Sequence, residues 1–212
     1  MEYDRADKEV AEMSKIKVNE QRAVDEFQEL TAIDAPSFGE RQMADRLIVK
    51  LKELGFEVEE DNAGKHFGGN AGNLYAYLPG DLPGDSVLLS GHMDTVEPSK
   101  GKKGIIGEDG VIRSAGKAVL GADDVAGLVE ILEGIRSVKE AGVPHRDIEI
   151  LFTIAEELYI KGSSVFDFSK VRAKEAYPTE LLGHIMILTQ FCKINDCFYM
   201  VFFKHLLIVW IY

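Results

Sequence analysis

The sequence predicts an α/β protein, a three-layer α/β/α sandwich with a largely parallel sheet. Short continuous apolar runs at residues 87–90 and 148–154 indicate strands buried on both faces, which is typical of parallel sheets. Between them, apolar side chains spaced along one face of residues 125–135 predict an amphipathic helix. Because strands alternate with helices along the chain, a sheet covered by helices is the expected architecture.

The elements that precede this helix are predicted from patterns of the same kind. Apolar residues at three-residue steps predict a helix over residues 20–31. Ser37 and Glu40 match the capping box S-x-x-E and predict the start of a second helix, which Gly55 ends as a C-terminal cap. The remaining predictions are strands at 56–59 and 73–78, a glycine-rich loop at 62–72, and a polar excursion at 97–117 with a hairpin around Glu108-Asp109-Gly110.

Composition limits the class of protein and the kind of partner. With 212 residues, of which 46% are hydrophobic and 28% charged, the chain is expected to form a globular domain with a sizeable core. Its net charge of −12 argues against nucleic acid as a partner, because a phosphate surface would repel it. Residues 1–20 are rich in charge and hold no apolar core, so no signal peptide is predicted and the cytosol is the expected compartment.

A break in composition at residue 177 predicts the domain organisation. Residues 177–212 carry no net charge but hold both cysteines and the only tryptophan, so the whole charge of −12 lies before them. We expect a polar N-terminal extension at 1–17, the main domain at 18–176 and a divergent apolar tail after it. The apolar runs of the tail are short and interrupted by Lys204-His205, whereas a membrane span needs about 20 apolar residues, so no membrane anchor is expected. A shifted reading frame would explain such an ending.

Imidazole and carboxylate side chains follow the two buried strands and open the helix between them. His92 and Asp94 come directly after the first strand, Glu156-Glu157 after the second, and Asp123-Asp124 stand at the start of the helix. Each has an ordinary explanation when taken alone, as a hydrogen-bonded histidine, a loop acid or a helix cap. Functional residues of α/β sheets collect beyond the carboxyl ends of the strands, so these side chains should meet at one edge. Their joint placement favours a cation site.

The same three blocks carry a resemblance to a known family. They are His92-Met93-Asp94-Thr95-Val96, Gly121-Ala122-Asp123-Asp124 and Ala155-Glu156-Glu157. They resemble the signature blocks of the di-zinc exopeptidase family that includes peptidase T, carboxypeptidase G2 and aminoacylase, and are most similar to the peptidase T (tripeptidase-like) branch. The resemblance covers about residues 18–176.

The resemblance implies a role for each of five residues. His92 and Glu157 would each bind one zinc ion, and Asp123 would bridge the two. Asp94 would orient the His92 ring through its other nitrogen, and Glu156 would be the general base. The implied protein is a cytosolic zinc aminopeptidase that hydrolyses the terminal bond of short peptides. A deacylase of N-acylated amino acids, from the same family, is the alternative activity.

The sequence departs from the family pattern in two places. Val125 replaces a lysine that follows the paired aspartates. After residue 177 the family continues with an aspartate ligand, a lid and dimerisation domain, and a last histidine ligand. Because the lid supplies the dimer contact in the family, the family's dimer is not expected for this chain. Two protein ligands would remain for each zinc instead of the usual three, and a catalytically inactive truncated fragment is therefore a further alternative. The candidate replacement ligands are Glu180, His184 and His205.

Overall fold

The computed structural model describes residues 15–179, which form a five-stranded sheet with helices packed on it. The helices are α1 (Glu20–Thr31), α2 (Arg41–Glu53), α3 (Ala63–Phe67) and α4 (Ala122–Ala141). The strands are β1 (Glu57–Glu60), β2 (Leu74–Leu78), β3 (Val87–His92), β4 (Gly104–Ile106), β5 (Ile112–Ser114), β6 (Ile148–Thr153) and β7 (Glu175–Pro178). The sheet has the order β1-β2-β6-β3-β7, and β4 with β5 forms a separate hairpin.

The sheet is mixed. Strand β3 pairs in parallel with β6 and with β7, whereas the β1–β2 and β2–β6 pairs are antiparallel. The predicted α/β class is confirmed, and the parallel arrangement holds for the half of the sheet around β3. Parallel neighbours need a crossover of about a dozen residues or more, which α4 supplies between β3 and β6. Only a short connection containing α3 joins β1 to β2, and these two strands pair antiparallel.

The main hydrophobic core lies on one face of the sheet. Helices α1, α2 and α4 cover this face, and Phe27, Leu47, Leu132 and Phe152 are among the side chains buried there. On the opposite face, a smaller cluster forms under residues 155–174, which contain two short 3₁₀ helices. Within residues 15–179 that face therefore lacks the α-helical layer predicted for it. Three residues near the start of this segment have positive φ, which a right-handed helix does not tolerate: Ala155, Tyr159 and Ile160.

Several local predictions are confirmed. Helix α1 spans the predicted residues, and α2 ends before Gly55, whose φ of +89° is the left-handed conformation expected of a C-terminal cap. The hairpin around Asp109-Gly110 forms between β4 and β5. The helix predicted at 125–135 is longer than expected, since α4 begins at Ala122 and reaches Ala141.

Two local predictions are wrong. The glycine-rich segment at 62–72 was predicted to be a loop, but it contains α3, because Asp61 accepts a hydrogen bond of 2.8 Å from the Ala63 amide and turns the chain. The capping box at Ser37 and Glu40 does not form. Helix α2 begins at Arg41 with no side-chain cap, because both side chains are hydrogen-bonded to distant parts of the chain.

Some predictions fall on residues beyond the described range. The candidate replacement ligands Glu180, His184 and His205 lie outside it, as does most of the predicted tail. Tyr177 and Pro178 belong to β7, so this strand crosses the boundary predicted at residue 177. Across residues 15–179, no helix is both long enough and apolar enough to span a bilayer.

Candidate metal centre

His92 is the last residue of β3, and its ring is buried at the edge of the sheet. Nδ1 lies 2.9 Å from the main-chain oxygen of Asp94, and Nε2 lies 3.1 Å from Oδ1 of Asp123. A carbonyl oxygen can only accept, so Nδ1 carries a proton and Nε2 faces the carboxylate. Burial alone would lower the pKa of His92, but the carboxylates of Asp123 and Asp94 outweigh it and raise this pKa to about 11. The carboxylates around the His92 ring therefore favour a positive charge at or beside Nε2.

Asp94 is fully buried and organises the loop that carries the two glutamates. Its carboxylate accepts hydrogen bonds from the Glu156 amide at 2.9 Å, the Glu157 amide at 3.2 Å and the Ser37 hydroxyl at 2.6 Å. Its Oδ1 is 3.4 Å from Nδ1 of His92, farther than its own main-chain oxygen. Burial would raise the pKa of Asp94, but hydrogen bonds from His92 and Ser37 hold it below its usual range. Asp94 thus stays ionised and ties β3 to the glutamate loop.

Asp123 and Asp124 are neighbours at the start of α4, but they face different surroundings. The Asp123 side chain is 47% exposed and points to His92. Asp124 is buried, and its Oδ2 accepts from the His92 amide at 3.1 Å and from the Thr179 hydroxyl at 2.7 Å. Burial raises the pKa of Asp124 to about 7. Asp123 is therefore available to a ligand, whereas Asp124 fixes the end of β3.

Glu156 and Glu157 follow β6 on a sharp turn at Ala155, whose φ is +48°. The turn is held by Glu40, which is fully buried and accepts from the Ala155 amide at 3.0 Å. Oε2 of Glu156 lies 3.9 Å from Nε2 of His92. The turn thereby brings both glutamates to the edge of the sheet where His92 and Asp123 meet.

Three of the predicted ligands form one cluster. His92, Asp123 and Glu157 each offer a donor atom, and these atoms lie within 4.8 Å of one another. No other group of three or more such residues was found among residues 15–179. One imidazole nitrogen with two carboxylates is a donor set that suits zinc. All five candidate residues from the sequence therefore meet at one place, while Val125 is buried in the hydrophobic core.

The comparison with known families agrees with this geometry. A family model described as peptidase family M28 matches residues 73–179, which is half of the chain and contains the whole cluster. The chain belongs to peptidase family M28. Its cluster of His92, Asp123 and Glu157 is thus found in a protein of a peptidase family, not on an unrelated α/β scaffold.

Individual relatives of this M28 chain include proteins of the peptidase T type. The uncharacterized protein YqjE of Bacillus subtilis is 36% identical over 168 residues, covering 79% of this chain and 45% of its own. The structure of aminopeptidase PepT from Bacillus cereus is 40% identical with a TM-score of 0.73, and a tripeptidase from Staphylococcus aureus is 36% identical with a TM-score of 0.74. Each of these two matches covers 76% of this chain and 43% of the other.

These matches confirm the predicted resemblance to peptidase T and the fold class. They also show that the chain spans less than half the length of each of these relatives. The family and the catalytic-domain fold of the chain are therefore established.

Sequence reasoning missed two residues that support the M28 site. Ser37 and Glu40 were assigned to a helix cap, yet Ser37 donates to Asp94 and Glu40 holds the Ala155 turn. The capping-box pattern is local, whereas the real partners lie 57 and 115 residues away in the chain. No local signal could have identified them.

Gly127 offers a test of the packing behind the site. A Cβ atom there would lie 2.2 Å from Oδ1 of Asp124 and 2.3 Å from the Thr179 side chain. We expect Gly127→Ala to lower the free energy of unfolding by about 1–3 kcal/mol, because the added methyl overpacks the core. Denaturant unfolding measures it.

The matched control is Gly134→Ala in the same helix, where a Cβ would meet nothing within 4 Å. Alanine has the better helix propensity, so this change should stabilise the chain by about 0.5–1 kcal/mol. Equal effects of the two substitutions would contradict the packing assigned to Gly127.

Proposed function

We propose that the chain is the catalytic part of a zinc metallopeptidase that hydrolyses the terminal peptide bond of short peptides. The observation that carries this proposal is the cluster of His92, Asp123 and Glu157, with the Glu156 carboxylate beside it, in a member of peptidase family M28. The similar solved structures are described as an aminopeptidase and a tripeptidase, which supports short peptides as the substrate class.

The proposed metal ligands are the residues of the cluster. His92 would hold one zinc through Nε2, Glu157 would hold a second, and Asp123 would bridge them because a carboxylate has two oxygens. When bound, zinc lowers the pKa of water and polarises the scissile carbonyl group. Among residues 15–179 this gives two protein ligands for each ion, so we expect binding weaker than in a site with three.

Glu156 is the proposed general base. Its amide is fixed by Asp94, and its carboxylate lies at the edge of the ligand cluster with its side chain partly exposed. In the proposed reaction, Glu156 takes a proton from the attacking water as the water oxygen bonds to the carbonyl carbon. The carbon–nitrogen bond then breaks, and Glu156 passes the proton to the leaving amine.

The supporting residues hold this arrangement without touching the substrate. Asp94 fixes the His92 ring through its main-chain oxygen and both glutamate amides through its carboxylate. Asp124 holds the His92 amide from the opposite side. Asp94 and Asp124 are buried, whereas the Asp123 side chain is 47% exposed, so we propose that a peptide approaches from the side of Asp123.

The direct test uses the purified chain, zinc titration calorimetry and a substrate panel. We expect zinc to bind and a tripeptide with a free amino terminus to be cleaved, with little turnover of an N-acetylated amino acid. Preferential cleavage of the acylated compound would favour the deacylase alternative. Zinc binding without any hydrolysis would favour an inactive fragment, and failure to bind zinc would overturn the site.

Asp94→Asn tests the frame around the proposed ligands. Asparagine keeps the main-chain oxygen but turns one carboxylate acceptor into an amide donor that faces the amides of Glu156 and Glu157. We expect zinc affinity to fall about 10–100-fold, the usual effect of losing a residue that orients metal ligands. Calorimetry measures this, with Asp109→Asn on the exposed hairpin as the control. An unchanged affinity in the Asp94 variant would refute this role.

The remaining expectations about the cellular setting stay part of the proposal. We propose the cytosol as the compartment and no nucleic-acid partner, as the sequence predicts. Cell fractionation and a nucleic-acid binding assay test these two statements.

A further inference from the structure

Lys102 is a buried cation beside the metal centre that the proposed reaction does not use. It lies at the base of the β4–β5 excursion and is only 3% exposed. Its Nζ donates a hydrogen bond of 2.8 Å to Oγ1 of Thr95. A Cβ atom at Gly121 would lie 3.1 Å from the same Nζ. Cγ2 of Thr95 also lies 3.1 Å from that Cβ position, so the Lys102 side chain packs against both Thr95 and the Gly121 turn where these two meet.

These two contacts connect the segments that carry the ligand cluster. Thr95 follows Asp94 directly, and its amide donates to the main-chain oxygen of Ala35 at 2.9 Å. Gly121 has a φ of +74° and begins the turn that presents Asp123. A side chain that is hydrogen-bonded to Thr95 and packed on Gly121 fixes the position of this turn relative to the end of β3, and so the position of Asp123 relative to His92.

Keeping an ammonium group here is costly for stability. It has three N–H donors, and within residues 15–179 its hydrogen bond to Thr95 is the one the structure shows. The carboxylates of Asp34 and Glu97 act on this ammonium group through space. Each of them accepts a hydrogen bond from a main-chain amide, that of Gly101 and that of Ser99 respectively. Burial lowers the pKa of Lys102 to about 8. Residues that break a rule of stable packing are expected mainly at functional sites.

We propose that Lys102 is a positioning residue of the metal centre, which holds the Gly121 turn against Thr95 and thereby keeps Asp123 beside His92. The expected effect of Lys102 on zinc binding rests on the proposed function. The expected effect of Lys102 on the position of Asp123 does not. Lys102 does not touch the substrate or the metal in this role.

The test compares Lys102→Met and Thr95→Val with the control Lys103→Met, whose lysine is the exposed neighbour. Methionine keeps the length of the aliphatic stem and removes the buried charge, so we expect the thermal midpoint of Lys102→Met to rise by about 2–4 °C. In Thr95→Val the hydroxyl acceptor is lost and the buried Lys102 ammonium group keeps its charge, so the thermal midpoint of this variant should fall. Both variants should weaken zinc binding about tenfold, as the loss of an orienting residue does. The control should change neither quantity.

Crystal structures of the variants provide a readout that is independent of zinc. In Lys102→Met we expect the separation of His92 Nε2 and Asp123 Oδ1 to lengthen from 3.1 Å. A lysine that only supports the fold would lower stability when replaced and would leave this separation unchanged. Unchanged separation in Lys102→Met overturns the proposal. If the wild-type chain binds no zinc, the proposed function fails, and the separation in this variant still decides the role of Lys102.

Discussion

Replacing Glu156 by glutamine should lower the rate of tripeptide hydrolysis by about 10²–10⁴-fold, the range for loss of a general base. Glutamine has the size of glutamate but cannot accept the proton of the attacking water. The Glu156 amide would still donate to Asp94, so the turn that carries Glu157 should keep its place. Zinc affinity should therefore be unchanged, and the loss should appear in kcat more than in KM.

Steady-state kinetics with a tripeptide and calorimetry with zinc measure these two quantities separately. The matched control is Glu108→Gln on the exposed hairpin, which should behave like the wild-type chain. If Glu156→Gln retains full activity, another group is the base. If it loses both zinc binding and activity, Glu156 is a metal ligand instead.

Replacing Glu133 by alanine should lower the free energy of unfolding by about 3–5 kcal/mol, the cost of breaking a buried ion pair from one side. Glu133 lies on α4 with 0% exposure and accepts from Arg22 on α1 at 2.7 Å and from Arg136 at 3.0 Å. It also accepts from the Asn19 amide at 2.9 Å, just before α1 begins. Alanine would leave both guanidinium groups without this partner and loosen α1 from α4.

The pH dependence of this effect has a definite sign. Burial would raise the pKa of Glu133, but the hydrogen bonds from Arg22 and Arg136 outweigh it and hold the pKa below its usual range. A carboxyl group with a lowered pKa in the folded state stabilises the fold above its unfolded pKa of about 4.3 and loses this contribution as the pH falls through the folded value. The difference between wild type and Glu133→Ala should therefore shrink in acid.

Denaturant unfolding at neutral and acidic pH checks both statements. Glu140→Ala is the control, because Glu140 also binds Arg22 but is exposed, and its loss should leave the unfolding midpoint nearly unchanged. Similar losses for the two variants would mean that the buried position of Glu133 contributes nothing beyond a surface ion pair.

Local patterns predicted the elements of this fold well and its assembly less well. The spacing of apolar residues located α1, and Gly55 located the end of α2. Whether neighbouring strands are parallel depends on which strands pair, and β2 pairs with β6, a strand far away in the sequence. Periodicity within one strand cannot reveal its partner, so the antiparallel half of the sheet was not predicted.

The candidate site shows the same division. The sequence alone identified five residues and their family, because their three blocks keep a fixed order and stand next to predicted strands and a helix. The tertiary structure decided that Asp123 points to His92 and stays partly exposed while Asp124 is buried, a difference that two identical neighbours cannot show in a sequence. It also assigned Ser37 and Glu40 to the frame of the site. Hydrogen bonds between segments far apart in the chain depend on how these segments pack, and this is the physical reason that only the folded chain could reveal them.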